Sequence, residues 1–367
     1  MSKEGLVMGK HKPFIILGPG DTIKEELDFY GWDQKDLSEI LEVSEKHISQ
    51  LLNNKVPITF EMAQKLSRVF KQSPQFWLNL DANYRLRIEN EPAFEKTSDR
   101  AKIYQYMPVR ELRKRGWFSE NKEKLLEDFK RFWDKDKVEF NFLEKQVEAC
   151  FRKSEAYNKF NPYFAYTWVH MAKKKLSDIT INSNFSSTKL KSLAGEISIY
   201  SQRQDGITDF INDLKTSGIL FLYLPHLEKT YIDGATFWHK KNPVIVYTAR
   251  YDRNDNFWFT IAHEIGHVLL HNGNRGKDFI DNLEHLEEND FEKEADKFAR
   301  EKLKIDTILR FFKNTLRVSR KKVKECSSIL ELHPSIVIGC LQHEKKIGFN
   351  TLNEYKEPVR KLLKDYL

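Results

Sequence analysis

Cysteine is scarce in this chain of 367 residues, which carries only Cys150, Cys326 and Cys340. An odd number with no metal-ligand spacing excludes a disulfide framework and a cysteine zinc knuckle. It predicts buried thiols in a reducing cytosol. Long apolar runs are also missing. No stretch reaches the roughly 18 apolar residues that a membrane-spanning helix needs. The segment Met1 to Lys12 is too polar for a secretory signal. The expectation is a cytoplasmic protein with no membrane partner. A strong excess of one charge is lacking too: 61 Lys and Arg face 54 Asp and Glu, a net charge of +7. Spread over this length, that balance is compatible with nucleic acid without identifying it as a partner. No internal repeat is legible in the sequence.

What the chain does have is concentrated around residue 260. The stretch Phe257-Trp-Phe-Thr-Ile-Ala-His-Glu-Ile-Gly-His-Val-Leu-Leu-His271 contains H-E-x-x-H, with His263, Glu264 and His267 in register. Helical spacing puts the two imidazoles on one face, one turn apart. So placed they can share one Zn²⁺, with Glu264 able to take a proton from water. Apolar flanks predict a buried helix whose polar groups need a purpose. The competing reading is a structural helix pair without catalysis.

A third ligand is expected downstream, in Asn289-Asp-Phe-Glu-Lys-Glu-Ala-Asp-Lys-Phe-Ala-Arg-Glu-Lys-Leu303. Phe291, Ala295, Phe298 and Ala299 make a helical stripe. Glu292 shares the buried side with Ala299, whereas Glu294 points away. Glu292 is therefore the predicted ligand and Glu294 a solvated charge. Asp296, one turn after Glu292, is placed to orient a histidine ring. Three protein ligands would leave the fourth position to water.

These residues resemble the ImmA/IrrE family of zinc metallopeptidases, on H-E-I-G-H-V-L-L-H and E-K-E-A-D-K-F-A together. Leu220–Leu224, Asp233–Trp238 and Pro243–Thr248 read as short strands before the zinc helix, as in that family. The resemblance covers roughly residues 190–345. It implies Zn²⁺-dependent proteolysis, often of a repressor that carries a helix-turn-helix.

A second pattern lies near the N-terminus. Asp21–Tyr30, Asp33–Leu41 and Ser44–Asn53 read as short helices, with Asp33 and Ser44 as N-caps. Glu42-Val43 forms a tight turn. Thr59–Phe70 and Ser73–Arg87 supply two more helices. Leu37, Ile40, Leu41, Val43, Ile48, Leu51 and Leu52 are the expected small core. The five-helix pattern resembles the XRE-type helix-turn-helix, more narrowly the HigA-type antitoxin domain. Gln34 stands where such domains often touch a phosphate. Ser44, Glu45, Lys46, His47, Ser49 and Gln50 lie on or beside the helix that would enter the major groove, with Asn54 and Lys55 following. Glu45 and the lack of arginine there depart from strong DNA binders, so a protein-binding module is the alternative. A palindromic operator would call for a homodimer.

The expected fold class is α+β and mostly α. Its parts are a helix-turn-helix domain (13–95), a helical middle region (96–190), a zincin-like domain with a small sheet (191–305) and a helical C-terminal extension (306–367). In the middle region, the aromatic residues are most simply core. Arg113, Lys114 and Arg115 read as a solvated face. His333 and His343 are candidate oxyanion donors. The combined reading is a cytoplasmic zinc endopeptidase joined to a DNA-binding domain, acting on a repressor or toxin in transcriptional, toxin-antitoxin, prophage or stress regulation. The alternative is an antitoxin-like regulator whose zinc domain binds a partner without cutting it.

Overall fold

The computed structural model describes residues 17–88, 91–151, 160–177, 179, 184–271 and 290–366. Two compact units emerge, Met1–Ser98 and Asp99–Leu367. The boundaries expected at 190 and 305 fall inside the second. Cys150 and Asn289 carry no described side chain.

The first unit is built from α1 (Pro19–Tyr30), α2 (Gln34–Leu41), α3 (Glu45–Leu52), α4 (Phe60–Val69) and α5 (Pro74–Ile88). Local chemistry sets each start. Asp33 accepts from the backbone N–H groups of Lys35 and Asp36, and Asp36 bonds back to the Asp33 N–H at 2.8 Å. Ser44 accepts from His47 N, and Thr59 from Met62 N. These bonds satisfy donors that a helix leaves open at its start. The first helix begins two residues before the expected Asp21, because Asp21 serves instead as the returning half of a capping box on Gly18. Leu37, Leu41, Ile48, Leu51 and Leu52 are buried as expected, and Val43 partly so. Ile40 is a correction: it is 44% exposed, because α2 turns its Leu37 and Leu41 face inward.

The second unit begins within α6 (Glu91–Tyr106) and continues through α7 (Val109–Lys114), α8 (Leu125–Trp133), α9 (Asn141–Phe151) and α10 (Pro162–Ser177). Next come α11 (Ser187–Gly195), α12 (Ile197–Gln202) and α13 (Gly206–Thr216). A three-stranded sheet follows: β1 (Leu220–Tyr223), β2 (Gly234–His239) and β3 (Asn242–Tyr247). Its order is β1-β3-β2, with β1 parallel and β2 antiparallel to β3. Then come α14 (Asn254–Leu270), α15 (Asp290–Lys302), α16 (Ile305–Phe311), α17 (Arg320–Leu330) and α18 (Pro334–His343).

The sheet separates two cores. Phe221, Tyr223, Ile245 and Tyr247 pack with α13, α14 and the C-terminal helices. Leu222, Val244 and Val246 point the other way, onto Phe129, Trp133 and Trp168 of the middle helices. Alternation along each strand produces this division. The middle region therefore roofs one face of the sheet, and these aromatics are core. Arg115 is not merely solvated: it donates to the carbonyls of Pro225 and His226, tying α7 to the loop after β1.

Candidate metal centre and helix-turn-helix

The zinc-motif helix is α14. Phe257, Trp258, Ile261, Ala262, Ile265 and Val268 are buried and seat it between the sheet and α15. Gly266 lets α15 come close, since a Cβ there would stand 3.1 Å from Ala295 Cα. This approach brings the first turn of α15 under the two histidines.

His263, His267 and Glu292 converge there, their ligand atoms all within 4.8 Å of one another. Glu292 Oε2 is 3.2 Å from His263 Nε2, and Glu292 Oε1 is 3.2 Å from His267 Nε2. The two ring nitrogens are 2.9 Å apart. Tetrahedral Zn²⁺ with bonds of about 2.0–2.1 Å sets its ligand atoms about 3.3 Å apart, so the cluster fits this ion in donor type and in scale. His263 Nδ1 donates to Asp296 Oδ1 at 2.8 Å, which fixes the tautomer presenting Nε2 to the cluster.

The electrostatics agree with this grouping. Burial opposes charge on His263, but its bonds to Asp296 and Glu292 raise its pKa to about 10. Burial likewise works against ionisation of Glu292, yet the two imidazoles hold it well below the usual carboxylate range. Glu264 is buried, and desolvation raises its carboxyl. Its Oε2 accepts from Thr236 Oγ1 at 2.7 Å. The sequence reading missed Thr236, because nothing in the letters says which strand residue faces the motif. A cavity of about 250 Å³ opens beside Asp296, with Phe259, Leu303, Ile336 and Phe349 among its walls.

Other candidates lie elsewhere. His271 donates to the Phe291 carbonyl, and Glu294 stands 3.8 Å from its Nδ1 with an exposed side chain. Neither belongs to the three-residue cluster. His333 caps α18, its Nδ1 accepting from Ser335 N. The His343 side chain is 84% exposed.

In the first unit, α2 and α3 meet through a three-residue turn with Glu42 in the left-handed region. Gln34, Ser44, Glu45, Lys46 and Lys55 are exposed, while His47, Ser49 and Gln50 are half-buried. Asn54 differs in kind. Its Oδ1 accepts from Gly20 N at 2.7 Å and its Nδ2 donates to Asp21, so its amide is spent holding the start of α1.

Comparison with known proteins agrees with both halves. Residues 214–325 match the M78 peptidase family, described as the IrrE N-terminal-like domain, and residues 23–77 match the helix-turn-helix family. An uncharacterized HTH-type transcriptional regulator of Haemophilus influenzae is 38% identical over 80 residues, 21% of this chain and 75% of that protein. Another from Escherichia coli, YddM, is 44% identical over 62 residues, 17% of this chain and 66% of its own length. Virulence-associated protein A' of Dichelobacter nodosus is 38% identical over 79 residues, 21% of this chain and 69% of that protein. Such matches cover about one domain and leave the rest of the chain unaddressed.

Proposed function

This chain belongs to the helix-turn-helix family through its N-terminal unit and carries an IrrE N-terminal-like peptidase domain, and we propose from that premise that it is a DNA-tethered zinc endopeptidase cleaving a regulatory protein. The observation that carries the reading is the convergence of His263, His267 and Glu292 from two helices, with Glu264 buried beside them. Those three residues would hold the ion, and Asp296 would keep His263 in the ligating tautomer. When bound, Zn²⁺ supplies Lewis acidity toward a carbonyl and brings the pKa of a water toward about 7. Glu264 takes the proton of the attacking water and returns it to the leaving amine. Desolvation strengthens Glu264 as a base by raising its carboxyl.

The substrate is a repressor-like protein or a toxin. The helix-turn-helix would dock on an operator through Gln34, Ser44, Lys46, His47, Ser49, Gln50 and Lys55, with Glu45 disfavouring some sites and Asn54 acting from within. Tethering at a promoter raises the local concentration of a DNA-bound substrate. A palindromic operator would recruit a homodimer. No described helix is long and apolar enough to cross a membrane, and a cytoplasmic location suits a DNA-bound enzyme.

The test is to incubate the purified chain, with Zn²⁺ or with chelator, with proteins encoded beside its gene, and to map cuts by mass spectrometry. Cleavage with zinc alone is expected. Glu264→Gln should retain zinc and lose cleavage. Zinc-loaded protein that cuts none of them, or a Glu264→Gln variant that cuts normally, overturns the reading. The second reading, a regulator that senses through its zinc domain without proteolysis, draws on the relatives' names as transcriptional regulators. It requires operator binding that responds to zinc in the absence of any cleavage.

A further inference from the structure

The carboxylate of Glu264 is held by one face of one strand. β2 is one of the sheet's two edge strands, and it packs against α14. Thr236 donates its hydroxyl to Glu264 Oε2 at 2.7 Å. Gly234 is two residues earlier, so it shares that face. A Cβ on Gly234 would stand 2.7 Å from Glu264 Oε1. Gly234 is not among the glycines with positive φ, so the backbone would accept alanine and only the crowding forbids it. The two carboxylate oxygens thus have different surroundings: Oε2 carries a hydrogen bond, and Oε1 faces a missing side chain.

We infer that Thr236 and Gly234 are positioning residues for the base. The inference rests on the proposed role of Glu264. Thr236 fixes the rotamer and occupies Oε2, which leaves Oε1 as the proton acceptor. Gly234 keeps open the space in which Oε1 meets water. In the step itself the water oxygen bonds to the scissile carbonyl carbon while its proton moves to Oε1. As the C–N bond breaks, that proton passes to the departing nitrogen, so that atoms and charge balance. Deleting the Thr236 hydroxyl frees the carboxylate to rotate and slows turnover. It does not remove a metal ligand or a group that touches substrate.

The experiment uses the zinc-loaded full chain with Thr236→Val, Thr236→Ser and Gly234→Ala. Zinc content is read by elemental analysis, and kcat and KM on labelled casein and on the proteins encoded by flanking genes. Thr236→Val should keep its zinc, hold KM within about twofold and lose about tenfold or more in kcat, the scale of a misplaced general base. Thr236→Ser restores the donor and should return kcat to within about threefold of wild type. Gly234→Ala should keep zinc and lose kcat. If Thr236→Val turns over normally, or serine is as poor as valine, the inference is wrong. Should valine prevent folding, zinc-loaded Gly234→Ala with wild-type kcat overturns it instead. Wild-type protein that cuts no probe defeats the peptidase reading itself, and the inference falls with it.

Discussion

Two helix pairs in this molecule share one turn and have opposite surroundings. The α2–α3 pair turns at Glu42, with φ 51° and ψ 51°; the α17–α18 pair turns at Glu331, with φ 51° and ψ 47°. Val43 N donates to Ser38 O and Leu332 N to Ser327 O, each at 3.1 Å. Ser44 caps one second helix and His333 the other. Leu37 and Cys326 are fully buried at matching positions, and Ile40 and Ile329 are exposed at matching positions. The likeness is one of turn geometry and not of sequence. Beyond the turn the likeness ends. Ser44, Glu45 and Lys46 face solvent, whereas Ser335, Ile336, Val337, Ile338, Cys340, Leu341 and Gln342 are all buried. A helix that is apolar on every side belongs inside. α18 therefore packs on the H-E-x-x-H helix α14, where the first pair offers α3 outward. A turn specifies how two helices meet, while their outer faces decide whether the pair reads a ligand or fills a core.

The comparison breaks first at matched positions. Ser335 corresponds to Lys46 and is fully buried. Ser335→Lys should cost about 3–5 kcal/mol, as an unpartnered buried charge does. Lys46→Ala should change stability by less than about 0.5 kcal/mol. Denaturant unfolding checks both, and a native-like midpoint for Ser335→Lys would place α18 outside the core. The inward-facing unit should also distinguish two acids two residues apart. Glu292→Ala should weaken zinc binding by about 100-fold or more, beyond the 10–100-fold typical of losing an outer partner. Glu294→Ala should leave it unchanged. A competition titration with a coloured chelator decides, and metal loss from Glu294→Ala alone would reverse the assignment.

The same inward character predicts an acid weakness at His170. Burial lowers its pKa to about 4, against a hydrogen bond to the Phe132 carbonyl that works the other way. The unfolded chain binds this proton below about 6.5 and the folded one does not. The neutral ring's contribution is therefore whole above pH 6.5 and is lost as pH falls toward 4, to the extent of about 2–3 kcal/mol. His170→Phe should lose less stability than wild type between pH 7 and pH 4.5. Equal losses would show that His170 does not carry the effect. The smallest change is expected at the outward-facing pair. Lys46→Ala with Gln50→Ala should leave the fold and zinc intact. It should weaken binding to DNA upstream of its own gene by about 1–3 kcal/mol, the worth of one good base contact. The deficit should narrow at high salt if Lys46 meets a phosphate. Anisotropy at two salt concentrations tests this; wild-type protein without sequence preference would make the first pair, like the second, a packing device.

Whatever depends on spacing along one element was legible in the letters. A step of four positions from His263 to His267 puts both rings on one helix face. The wheel position of Glu292 against Glu294, the caps at Asp33 and Ser44, and the three strands before the H-E-x-x-H helix follow from the same short-range periodicity. Which elements meet was settled by packing alone. Thr236 and Gly234 reach Glu264 because the edge strand β2 packs against α14. Asn54 reads as a polar residue after a recognition helix, yet the close packing of α1 on α3 consumes its amide. The α17–α18 pair escaped notice because its turn is conformational and its letters differ from those of α2–α3. Helical periodicity repeats every few residues and survives in a string of letters. The hydrogen bond from Thr236 to Glu264 joins positions 28 residues apart. Such pairings exist only once burial of the apolar faces has chosen how the layers stack.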